Sequence, residues 1–320
     1  MEYVSVFKFE PIYKKRVWGG SHFKNLFDSS LRHDQKYGES WNIVDREEDQ
    51  SFCKINSVTS ISIRELLKEK GREIMGPSWI NGNKFPILVK WLDCQERLSL
   101  QVHPPEELAE KLGGEPKTEN WYVVDSSKNS GLFLGFNQQV TKSQFRSALQ
   151  DNEAEKLCHR INSNSNDSVL VKSGSIHAID AGNLILEIQQ NSDTTYRVFD
   201  WGRVGLDGKP RDLHIQESLE SINFGDSNLS CISTSDTPGI ETIAECKYFR
   251  IRRLNLSENS TFKIKEDSSN CAILSPFKGQ SICENQLLES GFSYISPFSS
   301  ACEITSKGKT SLLITDSFLN

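Results

Sequence analysis

Five short stretches of this chain carry residue types that can bind a metal ion or move protons. In LSLQVHPPEE, Gln101 and His103 are two apart on an expected strand, so their side chains share one face while Val102 points the other way. In EPKTENWYVV, Lys117 and Glu119 stand in the same relation. His177 follows a glycine turn in SGSIHAI and lies inside an otherwise apolar strand. Together these supply two imidazoles, a carboxylate and an amide oxygen, and three or four N/O ligands with an open position are what a catalytic Zn2+ site requires. Lys90 inside the apolar run FPILVKWL and Glu187 inside NLILEIQQ are costly to bury without a partner, so each points to a polar cavity. A histidine in a strand is more often structural than a ligand, and residues on separate strands meet only if the fold brings them together. Spacing alone therefore makes this a candidate metal site. Thiolate ligands are not expected, because no cysteine lies near Gln101, His103, Lys117, Glu119 or His177.

The elements that must position these residues are mostly strands. FPILVKWL at 85–92 is a dense apolar run of strand length, and a second strand at Leu98–Val102 ends at Pro104-Pro105, after which EELAEKL starts a short helix. WYVVD and LFLGF flank a polar turn, and SVLVK, SIHAI, NLILEIQQ and TYRVFDW follow as further short strands. Helices are predicted near 62–75, where Ile63, Leu66 and Leu67 recur at helical spacing, and near 141–159, with Thr141 as N-cap. Gly19-Gly20 reads as the first turn. A Ser/Asn/Asp/Thr-rich stretch from Asp226 to Gly239 with Pro238 marks a boundary, predicting a domain over 1–235 and a smaller β domain over 236–320. Nothing in the second region clusters histidine, cysteine and carboxylates, so no chemistry is assigned there.

The 320 residues can bury a real core, and a net charge of -6 argues against a broad basic surface for nucleic acid. An anionic substrate would need a local cluster of Lys and Arg. The N-terminal residues alternate as a strand rather than forming an apolar targeting helix, and no stretch reaches the roughly 20 apolar residues needed to span a bilayer. The eight cysteines are scattered singly, with no C-x-x-C pair, and are expected to stay reduced. The reading is a soluble cytoplasmic protein, with the oligomeric state left open.

Resemblance adds to this. FPILVKWLDCQERLSLQVHP, KTENWYVV, SGSIHAI and LEIQQNSDTTYRVFDWGR occur in the order and spacing of the type I mannose-6-phosphate isomerases of the cupin superfamily. VWGG, GESW at Gly38–Trp41 and PRDLH at Pro210–His214 resemble the short bacterial branch. The resemblance implies a mainly β fold: a cupin (jelly-roll β-barrel) catalytic domain with a small helical insertion, and a second, smaller cupin-like β domain. It implies one Zn2+ per chain on His103, Glu119 and His177, with Gln101 as a further ligand. It also implies active-site roles for Glu187, Arg197 and Lys117, and substrate contacts from Lys90 and Ser99. The implied reaction interconverts mannose 6-phosphate and fructose 6-phosphate through an enediol. One departure is Lys172-Ser173-Gly174, where the family usually has Pro-Ala-Gly or Pro-Ser-Gly; the missing ring leaves φ unfixed but removes no ligand.

Two other readings compete. A two-histidine, one-carboxylate set also suits a non-haem iron oxygenase of cupin fold. A non-catalytic sugar-phosphate-binding cupin would keep the same fold without turnover.

Overall fold

The computed structural model describes residues 6–55, 59–227, 229–264, 270–300 and 302–318. Strand accounts for 42% and helix for 14% of it, so the chain is mainly β as the alternation of its short segments predicts. It divides into two compact units. One is built from Met1–Ile12, Ser40–Lys90 and Thr234–Asn320, the other from Tyr13–Glu39 and Trp91–Ser233.

The second unit holds the candidate residues. A five-stranded antiparallel sheet runs in the order Cys158–Asn162, Gly131–Phe136, His177–Ile179, Leu100–Val102, Tyr196–Phe199. Strands of a second sheet, in the order Asp167–Val171, Glu119–Ser126, Asn183–Gln190, pack against it. Their shared core joins Trp121, Val123, Val169, Val171 and Ile185 to Leu132, Leu134 and Ile179 of the five-stranded sheet. The central strands of the five-stranded sheet are buried on both faces. The sheet's outer face, with Val102, Phe133, Ala178 and Val198, is covered by Phe145 and Leu219 from helices Lys142–Gln150 and Ile215–Ser221. Near-continuous apolar runs such as LFLGF follow from that two-sided burial.

The helix expected over 141–159 is shorter than its apolar spacing predicts. Thr141 caps Lys142–Gln150 in a reciprocal pair with Gln144, but Asn152 adopts φ 57° and ends the helical run. One turn, Ala154–Leu157, follows, and Cys158–Asn162 then pairs with the edge of Gly131–Phe136. An open sheet edge outweighs local helix propensity here. Gly19-Gly20 also differs from expectation. It closes the strand Ile12–Gly20 rather than turning, and a Cβ on Gly19 would run into the Gly38 backbone.

In the first unit an eight-stranded sheet takes strands from all three of its segments: Phe7–Phe9 pairs with Ser293–Ser296 and with Phe52–Lys54. A four-stranded sheet packs on it through Leu254, Leu274, Leu312, Leu288 and Ile304. Helix Ile63–Met75 starts at a capping box of Ser62 and Glu65 and buries Ile63, Leu66, Leu67, Ile74 and Met75, as the sequence predicts. Two of the eight cysteines depart from the expected reduced state. Cys283 and Cys302 form a disulfide with Cα atoms 6.2 Å apart, since the pairing of Cys283 with Ile304 places Cys302 on a diagonal of the same sheet.

Candidate metal centre

Register decides which side chains meet. His177 is the direct partner of Gln101, and Gln101 that of Arg197, so these three side chains line one face of the five-stranded sheet. On the opposing sheet Glu119 pairs with Gln189 and Glu187 with Trp121. Glu119 and Trp121, two apart, share a face, and Trp121 lies in the core between the sheets.

The result is a buried triad. His103, Glu119 and His177 are fully enclosed, and their candidate ligand atoms lie within 4.8 Å of one another. The ε nitrogens of His103 and His177 are each 3.4 Å from a different oxygen of Glu119. Both rings are fixed from behind. Nδ1 of His103 donates to the Thr194 carbonyl and Nδ1 of His177 to the Ser175 carbonyl, each at 2.8 Å. A carbonyl can only accept, so the proton sits on Nδ1 and each Nε2 turns a lone pair inward. Glu119 Oε1 is buried and accepts no hydrogen bond. Two neutral imidazole nitrogens and a carboxylate oxygen with an unused lone pair fit a divalent metal ion.

Electrostatics keep these groups in the ligating state. Burial pushes the His103 imidazole down to about 3, and the neighbouring Lys117 ammonium adds to the shift. His177 is lowered for the same first reason. Burial works against the Glu119 carboxylate, but the neighbouring Lys117 ammonium outweighs it and holds the group well below its usual range. Lys117 is the link to the rest of the site. Its Nζ contacts Glu119 Oε2, lies 3.2 Å from His103 Nε2 and 3.5 Å from Glu187 Oε1. Burial disfavours that ammonium, yet Glu119 and Glu187 together raise its pKa above the ordinary value.

The remaining sequence-predicted residues divide. Gln101 reaches the triad, its amide nitrogen 3.2 Å from His177 Nε2, and Ser99 Oγ donates to Gln101 Oε1 at 3.4 Å. Arg197 donates from Nη1 to the Asp212 carbonyl at 2.7 Å, and its buried Nε has no hydrogen-bond partner. Lys90 belongs to the other unit, where its ammonium lies 4.7 Å from the centre of the Trp41 ring. Residue spacing did not reveal the groups that hold the ligands. Thr194 and Ser175 act through carbonyls, which leave no mark in a sequence. Ser173 could have been found, since it stands in the altered turn: its Oγ accepts the Lys117 backbone N–H at 3.0 Å, and Gly174, at φ 88°, donates its own N–H to the His103 carbonyl.

A mainly β chain with two histidines and a carboxylate held between packed sheets has a candidate metal site of the kind a cupin fold can hold. Residues 6–160 match the family described as phosphomannose isomerase type I, catalytic domain. Mannose-6-phosphate isomerase ManA of Bacillus subtilis is 35% identical, over 80% of this chain and 81% of its own length. A mannose-6-phosphate isomerase of Streptococcus mutans is 32% identical over 76% of each. The crystal structure of the mannose 6-phosphate isomerase from Bacillus subtilis superposes with a TM-score of 0.83 at 27% identity, covering 97% of this chain and 99% of the other. The chain belongs to the type I phosphomannose isomerase family.

Proposed function

We propose that this chain is a zinc-dependent aldose–ketose isomerase interconverting mannose 6-phosphate and fructose 6-phosphate through an enediol. The observation that carries the reading is the Lys117 ammonium, which joins the triad carboxylate of Glu119 to Glu187 at 3.5 Å. A proton-transfer carboxylate thus stands beside a metal set. His103, Glu119 and His177 would hold one ion, and Gln101 would add its amide oxygen after a half-turn of the side chain, which exchanges Oε1 for Nε2.

A divalent ion held by these side chains would supply Lewis acidity for the charge that develops on the sugar oxygens. Glu187 takes the proton from one carbon and returns it to the other, with the Lys117 ammonium 3.5 Å from its Oε1. Lys117 faces the same carboxylates and supplies positive charge where the enediolate forms. Arg197 turns its unpartnered Nε edge to an oxyanion, the planar fork matching enediolate or phosphate. Ser99 orders Gln101 and the adjacent sugar hydroxyls.

The test is incubation of purified protein with fructose 6-phosphate. Mannose 6-phosphate should form, stop forming after chelation, and return on adding one equivalent of zinc. Restoration by ferrous iron alone, with oxygen consumed, would favour the oxygenase reading, and silence with zinc bound would favour a binding protein.

A further inference from the structure

The segment between Asp200 and Asp212 leaves the edge strand of the five-stranded sheet after Phe199 and returns to it where the His214 N–H meets the Arg197 carbonyl. It has little core of its own: Val204 and Leu206 are 50% and 65% exposed, and its internal pairing is one bridge between Val204 and Pro210. Its two ends are nevertheless fixed. The Asp200 carboxylate, 6% exposed, accepts from Arg211 Nε at 2.7 Å and from Arg203 Nε at 3.0 Å, and Arg211 Nη2 reaches its other oxygen. Arg203 in turn donates to the Arg97 carbonyl. Trp201 leaves the strand at φ 58°, a conformation that bulky side chains adopt only when held. Its indole donates to the Leu98 carbonyl at 2.6 Å, and the Arg97 guanidinium lies 4.5 Å from its ring centre.

This clamp ends beside Arg197. Arg211, gripped by Asp200, precedes Asp212, whose carbonyl holds Arg197 Nη1 at 2.7 Å. His214 completes the frame: its backbone N–H donates to the Arg197 carbonyl at 2.7 Å, and its Nδ1 accepts the Arg197 N–H at 3.3 Å. Tying Nη1 down leaves the Nε edge of the guanidinium for an oxyanion. Asp200 also offsets the like charges of Arg203 and Arg211, which both bear on Arg197 or its neighbours.

We propose that Asp200 is a positioning residue for the isomerisation: by closing the 201–211 loop through Arg203 and Arg211 it sets the Asp212 carbonyl, and so the angle at which Arg197 meets the substrate's oxyanion. The proposal rests on the isomerase reading of the site. Asp200 touches none of the triad residues, so its effect runs through Arg197.

A double-mutant cycle on the zinc-loaded full chain tests it. Asp200→Asn should lower kcat/KM for fructose 6-phosphate on the order of tenfold to a hundredfold, as expected when a clamp moves by a fraction of an ångström. Zinc content should be unchanged, and the loss should fall mainly on KM. In an Arg197→Ala background the same change should have little further effect, because its route is already gone. Arg211→Gln is the second variant if Asp200→Asn does not fold, and it should show the same dependence on Arg197. An equal loss with and without Arg197, or no loss in a folded variant, overturns the proposal. An unmutated chain that leaves fructose 6-phosphate unchanged would overturn the isomerase reading first, and this inference with it.

Discussion

Acidifying the metal-free protein should cost stability in an amount that one residue controls. The perturbation is a change from pH 7 to pH 5 with a chelator present, made on the natural chain and on His103→Asn. His103 has an ordinary pKa of 6.5 and about 3 in the folded state, because burial and Lys117 disfavour its charged form. The sign follows from proton uptake. Unfolded chains take a proton on this ring as pH falls below 6.5, whereas the folded ring stays neutral until near 3, so stability is present above 6.5 and is lost progressively below it. Between pH 7 and 5 the loss from this ring alone is about 2 kcal/mol. His177 is shifted in the same direction and adds to it. His22 acts oppositely: its hydrogen bond to Asp93 raises its pKa, so folding gains from its protonation. The total slope mixes these effects, but the difference between the two proteins isolates His103. Denaturant unfolding followed by tryptophan emission is a suitable assay, as the Trp121 ring lies 5.3 Å from that of His177. The natural chain should lose about 2 kcal/mol more than the variant over this range. Equal losses would show that the His103 ring is not held neutral by its surroundings, and the argument for a pre-formed ligand set would fail.

Glu187→Gln should keep its zinc, measured by elemental analysis, while exchange of the C2 proton with solvent stops; exchange at the natural rate would move the base elsewhere. Phe145→Ala should destabilise the protein by about 3–5 kcal/mol, read by denaturant unfolding, since the ring is fully buried and packs 5.4 Å from Phe136 and 6.2 Å from Phe224.

Much of this was legible in the sequence because short strands buried on both faces write themselves as apolar runs. Most of FPILVKWL and all of NLILEIQQ and TSLLITD are strands, and Lys90 and Glu187 inside the first two were the residues that needed a polar explanation. The i, i+2 relation of Lys117 and Glu119 was readable too, and it becomes a direct contact. Three kinds of fact were not readable. The carbonyls of Ser175, Thr194 and Asp212 orient His177, His103 and Arg197, but a backbone acceptor is the same at every position. The helix at 142–150 stops where a sheet edge elsewhere in the chain needs a partner, which is a tertiary demand. The pairing of Phe7 with Ile295 joins residues whose local patterns fit many partners.

Lys117 carries the sharpest consequence of the proposed metal. Its ammonium touches Glu119 Oε2 and lies 3.2 Å from His103 Nε2, which are lone pairs that a metal ion on the same residues would use. One lone pair on an imidazole nitrogen cannot serve two cations. Loading the site must therefore turn the ammonium away from His103, and Glu187, at 3.5 Å, is the carboxylate left to receive it. Lys117→Met removes both the competing cation and the partner of Glu187. The variant should bind zinc more tightly than the natural chain, because a like charge beside the ion is gone. It should nevertheless lose most of its turnover, because the proton-transfer carboxylate and the developing enediolate have lost their positive neighbour. Metal-free, it should be less stable by about 3–5 kcal/mol, since Glu119 and Glu187 stay buried without their counter-ion. Competition with a fluorescent zinc chelator gives the affinity, and unfolding with and without zinc gives the stability. Weaker zinc binding in Lys117→Met would mean that the ammonium supports the ion rather than yielding to it, and the division of labour between Lys117 and Glu187 would have to be reversed.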